Sequence, residues 1–277
     1  MHYSITWLLM LYLLAGPLPY PLGGSRVRAQ TEASLPYRLN EPELLVTLPD
    51  ELEEISGLAV RGEEILAIAD ERGIIYRLRR ADGAILERIK FWKKGDYEGI
   101  AVAGDDIWVT KSNGRLYRVR HAGTDKQQVK EYNTWLKGGN DVEGLVYDAA
   151  NDRLLLACKA DVRDDGRDKD NRYIFAFDPQ SGKASKKAAV VIPRDDKFSP
   201  SALAIHPISG ELYLTSSVGK RLTVTTVGGD IISVQRLDEE LFPQPEGLAF
   251  AADGTLYLST EAKNGAPARI YRLPLTP

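Results

Sequence analysis

Short apolar runs separated by turn residues are the dominant pattern along this chain. Runs such as Ile65–Ala69, Ile107–Thr110 and Leu212–Ser216 are rich in Val, Ile, Leu and Tyr, and glycine, asparagine or aspartate bounds them. Runs of this length and composition predict β-strands. No long stretch with a helical period follows the first thirty residues. The fold class is therefore predicted to be all-β.

The runs belong to a repeat that occurs five times. Each copy begins with a signature such as Asp96-Tyr-Glu-Gly-Ile-Ala, which centres on a small residue: Gly57, Gly99, Gly144, Ala202 or Gly247. The spacings are 42, 45, 58 and 45 residues, and repeats of roughly 40–50 residues are typical of β-propeller blades. An insertion, Asp161–Asn171, explains the long spacing. Its acids alternate with basic residues, which predicts a solvated loop rather than a metal loop.

The two ends of the repeat array indicate how the ring closes. The fifth copy has no fourth strand, whereas a spare strand, Leu44–Leu48, precedes the first copy. Pairing these ends leaves no open sheet edge. The prediction is a single domain over residues 43–277, a β-propeller of five four-stranded blades closed by the N-terminal strand. The alternative of six blades needs strands that are not found between Gln30 and Glu54.

The first residues predict export. An uncharged apolar run, Trp7–Ala15, precedes a Pro/Gly stretch and the small residues Val27 and Ala29. This pattern predicts a signal peptide over residues 1–29, a linker over residues 30–42, and a protein of the periplasm or cell envelope. An uncleaved membrane tether is the alternative, because no lysine or arginine precedes the run.

Charge and cysteine content narrow the class of protein further. The net charge of −3 becomes −5 without residues 1–29, which contain two arginines and no acid. A nucleic-acid partner is therefore not expected. The single cysteine, Cys158, lies in an apolar run and is expected to be a small buried residue. A reactive thiol or an intermolecular disulfide is the alternative for Cys158. The mature protein is expected to be a monomer.

The repeat gathers polar residues at one mouth of the predicted channel. In a propeller blade, the start of the first strand and the end of the second strand meet at the same end of the axis. The residues at these positions are Asp70, Glu71, Asp96, Glu98, Lys111, Asp141, Glu143, Lys159, Ser201, Glu246 and Glu261. Carboxylates this close share protons, pair with lysine or hold a cation.

Two hypotheses follow for this mouth. Oxygen ligands of this kind favour calcium over zinc or copper, and a calcium site would use some of Glu98, Glu143, Glu246 and Asp70. The alternative is a structural network in which the glutamates cap backbone N–H groups and pair with lysine. Neither His121 nor His206 is placed to form a Ser-His-Asp triad, and the chain has no Gly-rich phosphate loop and no HExxH motif.

Several of these segments resemble the SdiA-regulated domain family, which includes exported proteins of the YjiK and CarP types. They are Asn140–Asp148, Arg153–Lys159, Ser201–Pro207, Pro243–Phe250 and Gly254–Glu261. The resemblance covers about residues 40–275, with Ala202 where the family has glycine. It implies an envelope-associated propeller with a link to calcium, and, by a more distant likeness to phytases and lactonase propellers, the metal ligands Glu98, Glu143 and Glu246.

The functional expectation has three forms. The first is a calcium-linked binding or scaffold protein that presents its acidic mouth to a small molecule or an envelope protein. The second is a calcium-dependent hydrolase of phosphate esters or lactones, with the metal activating water or polarising the substrate. The third is a passive structural module.

Overall fold

The strands of this protein form five four-stranded antiparallel sheets. The computed structural model describes residues 35–162, 166–194 and 197–275. Within these residues each of the first four sheets uses four consecutive strands, and the fifth uses the last three strands together with the first. This is the five-bladed β-propeller that the repeat predicted. The predicted leader, residues 1–29, lies outside the described residues.

The blades follow one another along the chain. Blade 1 has β2 (Ile55–Arg61), β3 (Glu64–Ala69), β4 (Ile74–Arg79) and β5 (Ile85–Lys90). Blade 2 has β6 (Tyr97–Ala103), β7 (Asp106–Lys111), β8 (Leu116–Arg120) and β9 (Gln128–Tyr132). Blade 3 has β10 (Val142–Asp148), β11 (Arg153–Cys158), β12 (Asn171–Asp178) and β13 (Lys183–Pro193). Blade 4 has β14 (Ala202–Ile205), β15 (Leu212–Ser216), β16 (Arg221–Thr225) and β17 (Ile231–Arg236). Blade 5 has β18 (Pro245–Phe250), β19 (Leu256–Thr260), β20 (Arg269–Leu273) and β1 (Glu43–Thr47). Outside the blades, short 3₁₀ helices span Asp50–Leu52 and Gly138–Asn140.

The N-terminal strand closes the ring. Strand β1 pairs antiparallel with β20, so that Glu43 lies opposite Arg272 and Thr47 lies opposite Arg269. An ion pair of 2.6 Å joins the side chains of Glu43 and Arg272 across this seam. The predicted closing strand, Leu44–Leu48, is thus confirmed with a shift of one residue.

Apolar side chains pack between neighbouring blades. Each of five buried clusters is shared by two adjacent sheets. In the cluster between blades 2 and 3, the rings of Trp108 and Tyr132 both contact Phe177 edge-on, with centroids 5.6 and 5.5 Å away. Cys158 belongs to this cluster and is fully buried, as its apolar surroundings predicted.

The innermost strand of four blades carries a β-bulge. In blades 1, 2, 3 and 5 the pairing of first and second strands slips by one residue just before the signature glycine. A bulge leaves the extra residue outside the ladder and turns its side chain away from the regular alternation. The residues left unpaired in this way are Ser56, Glu98, Glu143 and Glu246.

The signature glycines allow neighbouring blades to approach closely at the axis. A Cβ atom at Gly99 would lie 2.8 Å from the Cβ of Leu145 in blade 3, and one at Gly247 would lie 2.8 Å from Leu58 in blade 1. Real side chains do not tolerate these separations without movement. Blade 4 has Ala202 at this position, and its first strand is only four residues long.

The segment before β1 is packed against the propeller. Of the predicted linker, residues 30–42, the structure describes residue 35 onward. There Tyr37 and Leu39 are buried in the cluster between blades 4 and 5. The Tyr37 hydroxyl donates a 2.7 Å hydrogen bond to the carbonyl of Gly254. Among the described residues, no helix has the length and apolarity needed to cross a membrane.

Candidate functional site

One side chain per blade reaches the axis directly before the signature position. These side chains are Ser56, Glu98, Glu143, Ser201 and Glu246. The two serines join neighbouring blades, because Ser56 donates to the carbonyl of Tyr97 and Ser201 donates to the carbonyl of Pro245, each at 2.7 Å. Ser201 therefore acts as a link between blades 4 and 5, and the glutamates of blades 2, 3 and 5 supply the charge at the axis.

A layer of aliphatic side chains divides the axial channel. It consists of Leu58, Ile100, Leu145, Leu203 and Leu248, which line a cavity of about 10 Å³ on the glutamate side. The same five residues line an apolar cavity of about 310 Å³ on the other side. A cavity of roughly 10–15 Å³ holds a single water-sized particle. The acidic cavity is thus small enough for one ion or water between the glutamates and the aliphatic layer.

Three carboxyl groups lie close together beside this cavity. Asp70, Asp96 and Glu98 each offer an oxygen atom, and these three atoms lie within 4.8 Å of one another. Two oxygens bound to one Ca²⁺ are at most about 5 Å apart, which is twice a calcium–oxygen distance. The group comes from the end of β3 and the start of β6, where the blade geometry predicted that side chains from two strands would meet.

The protonation of these three groups reflects their crowding. Burial and the neighbouring carboxylates, chiefly Glu143 and Asp70, raise the pKa of Glu98 to about 11. Burial and Asp96 raise the pKa of Asp70 to about 7. Burial opposes ionisation of Asp96 as well, but hydrogen bonds from Ser112, Glu98 and Asp70 lower its pKa below the ordinary value. Without a cation, Asp96 carries the charge and Glu98 keeps its proton.

The two carboxyl oxygens of Glu143 have different surroundings. The ammonium of Lys159 lies 2.5 Å from its Oε1 atom. Its Oε2 atom is buried and has no hydrogen-bond partner among the described residues, and the side chain is only 7% exposed. Burial raises the pKa of Glu143 to about 8 against the opposing effect of Lys159. A buried, unpartnered carboxylate oxygen is costly unless a cation or water binds it.

The last two glutamates of the mouth belong to blade 5. Glu246 is buried, and burial together with Glu143 raises its pKa well above the ordinary value. Glu261 accepts a hydrogen bond from the side-chain amide of Gln244. Burial and the charge of Asp70 raise the pKa of Glu261 to about 7.

The remaining predicted mouth residues lie further from the axis. Glu71 is exposed, and its charge acts on Asp70. The Lys111 ammonium lies 5.4 Å from the centre of the Tyr97 ring. Asp141 follows the 3₁₀ helix with a φ of 52°, and burial raises its pKa.

The donor set is suited to a hard cation. The groups nearest the axis offer carboxylate oxygens, and calcium binds 6–8 oxygen atoms. His206 lies at the other mouth, where its Nε2 atom is 2.9 Å from the Tyr37 hydroxyl. Of the three glutamates expected as metal ligands, Glu98 alone belongs to the close carboxyl group, and Glu143 and Glu246 line the cavity next to it. That three-glutamate ligand set stays a prediction.

Two basic residues beside the mouth were not predicted from the sequence. Lys137 and Arg172 line a cavity together with Lys159. Arg172 directly follows the insertion that was expected to be a solvated loop, yet its side chain is only 3% exposed. The available signal was its position at the start of an apolar strand, Asn171–Asp178, where a buried face is common.

Comparisons with known proteins agree with this fold. A family model described as SdiA-regulated matches residues 47–274. A glutaminyl cyclase from Myxococcus xanthus is 12% identical, with 85% of this chain and 97% of that chain covered and a TM-score of 0.56. A PQQ-bound aldose sugar dehydrogenase from Streptomyces coelicolor is 15% identical, with 84% and 98% covered and a TM-score of 0.53. These two similarities show the propeller fold alone, and a search of curated proteins found no match.

Proposed function

Because this chain belongs to the SdiA-regulated family, we propose that it is an exported, calcium-linked binding or scaffold protein of the cell envelope. Calcium would be held at the acidic mouth by Asp70, Asp96 and Glu98, with Glu143 and Glu246 beside it. The bound ion would supply positive charge at the axis, to which a small molecule or an envelope protein with oxygen ligands can bind.

The unpartnered Oε2 atom of Glu143 is the observation that carries this proposal. It lines the same small cavity as Glu98, and Glu98 belongs to the group whose oxygens lie within 4.8 Å. Crowded carboxyls with raised pKa values are stabilised when a cation replaces their protons. A purely structural network would instead pair these oxygens with N–H or O–H donors, as the backbone N–H of Ser217 donates to the Ser201 hydroxyl.

Calcium titration followed by thermal melting tests the proposal. A cation that binds the folded protein alone raises the melting temperature in a saturable manner. We expect calcium to raise it, and Glu98→Gln to remove most of the increase. Glu63→Gln is the matched control, because Glu63 is exposed and lies in the turn between β2 and β3, at the end of the propeller opposite the carboxylates.

Two results would contradict calcium binding at this mouth. One is an unchanged melting temperature at millimolar calcium, which would favour the third expectation, a passive structural module. The other is an equal loss of the calcium effect in Glu98→Gln and Glu63→Gln, which would indicate diffuse screening of the acidic surface.

A calcium-dependent hydrolase is the second function that this mouth supports. The favouring observation is Lys159, whose ammonium lies next to the candidate ligand Glu143 and could stabilise negative charge on a substrate. Turnover of phosphate ester or lactone substrates should then depend on calcium and disappear in Glu143→Gln. Binding without turnover favours the binding or scaffold function.

Export is the part of the proposal that rests on the sequence pattern alone. Cleavage after Ala29 would leave Gln30 as the first residue of the mature protein. Mass spectrometry of the protein recovered from its native membrane and periplasmic fractions measures this directly. An intact Met1–Ala29 segment in the membrane fraction would instead support the uncleaved tether.

A further inference from the structure

A cavity of about 710 Å³ opens beside the acidic mouth. Its lining comes from the turn before β10, the connection after β11, the start of β12 and Ser199 ahead of β14. In the up-and-down order of a blade these positions all lie at the end of the propeller that carries the carboxylates. Lys137, Lys159 and Arg172 give the cavity its charge, and we refer to it as the basic pocket.

Among the described residues that line the basic pocket, three are cations, Lys137, Lys159 and Arg172, and one is an acid, Asp161. Lys159 is in addition paired with Glu143 at the axis. The Oδ1 atom of Asp161 lies 3.0 Å from Nη1 of Arg172. The same oxygen lies 3.6 Å from Nη1 of Arg194, so one carboxylate faces two guanidinium groups. Burial and the charge of Arg194 lower the pKa of Arg172 from its ordinary value. This local excess contrasts with a chain whose net charge is −3.

Two of these cations have buried donors without acceptors. The Nε atoms of Arg172 and Arg194 are both buried and lack a hydrogen-bond partner among the described residues. Unpaired charged donors in a protein interior are uncommon. Arg172 lines the pocket and Arg194 does not, so an anion there would offset the charge of Arg172 and of the two lysines, which is otherwise offset by Asp161 and Glu143.

Neutral donors and size complete the description of the pocket. The side-chain oxygen of Asn140 accepts a 2.8 Å hydrogen bond from the backbone N–H of Lys137, which leaves its NH₂ group as a donor. Ser199 adds a hydroxyl. Small-molecule sites typically occupy about 300–1,000 Å³, so a cavity of about 710 Å³ accepts a molecule larger than a bare inorganic ion.

We propose that the basic pocket binds the oxyanion group, phosphate or carboxylate, of a small organic ligand. The planar guanidinium of Arg172 suits two oxygens at once, and the two lysines act as point charges. Lys159 also contacts Glu143 at the axis, so the ligand lies next to the acidic mouth. The pocket does not require calcium, and its test is therefore independent of the calcium site.

The test uses full-length protein freed of divalent cations at low ionic strength. Inorganic phosphate and acetate are titrated separately by calorimetry and by thermal melting, with chloride at equal ionic strength as the reference. We expect saturable binding of at least one oxyanion. The better of the two identifies the ligand class, a phosphate ester or a carboxylic acid.

Exposed lysines make a matched pair of variants. Lys137→Glu reverses a charge inside the pocket and should weaken oxyanion binding by about tenfold or more, as expected when an ionic hydrogen bond is lost. Lys90→Glu makes the same change at an exposed position of β5 in blade 1. It should leave the affinity for the oxyanion within about twofold of that of the unaltered protein. Equal weakening by both variants, or no binding beyond that of chloride, overturns the proposal.

Discussion

The three axial glutamates hold the same position in the repeat but have different surroundings. Glu98 lies among carboxyls, Glu143 contacts Lys159, and Glu246 is buried near both Glu143 and Glu261. The amino-acid type and its repeat position were sufficient to predict that these side chains converge. The sequence placed Asp70, Asp96 and Glu98 at the same mouth. It did not single them out as the group whose oxygens lie within 4.8 Å, because that depends on which strand ends face one another.

Substitution of Lys159 tests the charge balance at Glu143. Lys159→Met leaves that buried carboxyl without its cation and should lower the free energy of unfolding by about 3 kcal/mol at pH 9, a typical cost for breaking a buried pair. The loss should be smaller at pH 6, because Glu143, with a pKa of about 8, then carries a proton. Chemical denaturation at both pH values measures the difference.

A double variant provides the control for this prediction. Lys159→Met combined with Glu143→Gln removes both charges and should recover part of the stability lost at pH 9. If Lys159→Met costs the same at both pH values, the lysine stabilises the protein through its methylene packing and not through its charge.

At the scale of the strands, the repeat predicted the blades well. The runs Ile65–Ala69, Ile107–Thr110 and Leu212–Ser216 each coincide with a strand within one residue, because short runs rich in β-branched residues and bounded by turn residues favour strands. β13, at 11 residues, is longer than these runs. The bulges at Glu98, Glu143 and Glu246 could not be predicted, since a bulge depends on the register between two strands.

Strand β1 has a role that its modest burial does not suggest. Its side chains are exposed or half-buried, yet it covers the edge of β20 through backbone pairing. A protein lacking residues 1–48 should therefore melt about 10 °C lower than one lacking residues 1–34, which keeps the strand. It should also associate through the exposed edge.

Calorimetry and light scattering on the two truncated proteins check this prediction. Equal melting temperatures and monomeric behaviour of both would show that the ring does not depend on β1. Because the shorter protein also loses the buried Tyr37 and Leu39, a Tyr37→Ala variant of the longer one measures that separate contribution.

For the whole molecule, the acidic mouth makes stability depend on pH. The carboxyls of Asp70, Glu143 and Glu261 have pKa values of about 7, 8 and 7 in the folded protein, against about 4 in an unfolded chain. The folded state thus binds protons more tightly than the unfolded chain does. The contribution of these protons to the free energy of unfolding is lost as pH rises through 7–8. Without divalent cations, the melting temperature should fall between pH 5.5 and 8.5.

Other charged residues act on these carboxyls and determine which variants test the pH dependence. Lys159 and Lys263 oppose the shift at Glu261, while Glu98 and Glu246 add to the crowding of the mouth. Glu261→Gln should reduce the slope of melting temperature against pH, and saturating calcium should flatten it by replacing protons. A melting temperature that rises steadily from pH 5.5 to 8.5 in cation-free protein would contradict the raised pKa values.

The pairing of β1 with β20 also sets the order in which the protein is completed. Glu43 and its partner Arg272 are 229 residues apart, so the first strand to leave the ribosome waits for nearly the entire chain before its neighbour is synthesised. A nascent chain interrupted between residues 47 and 269 contains β1 without the strand that it pairs with. The circle of blades therefore cannot lock until β20 has been synthesised, and contacts of such long separation are formed slowly.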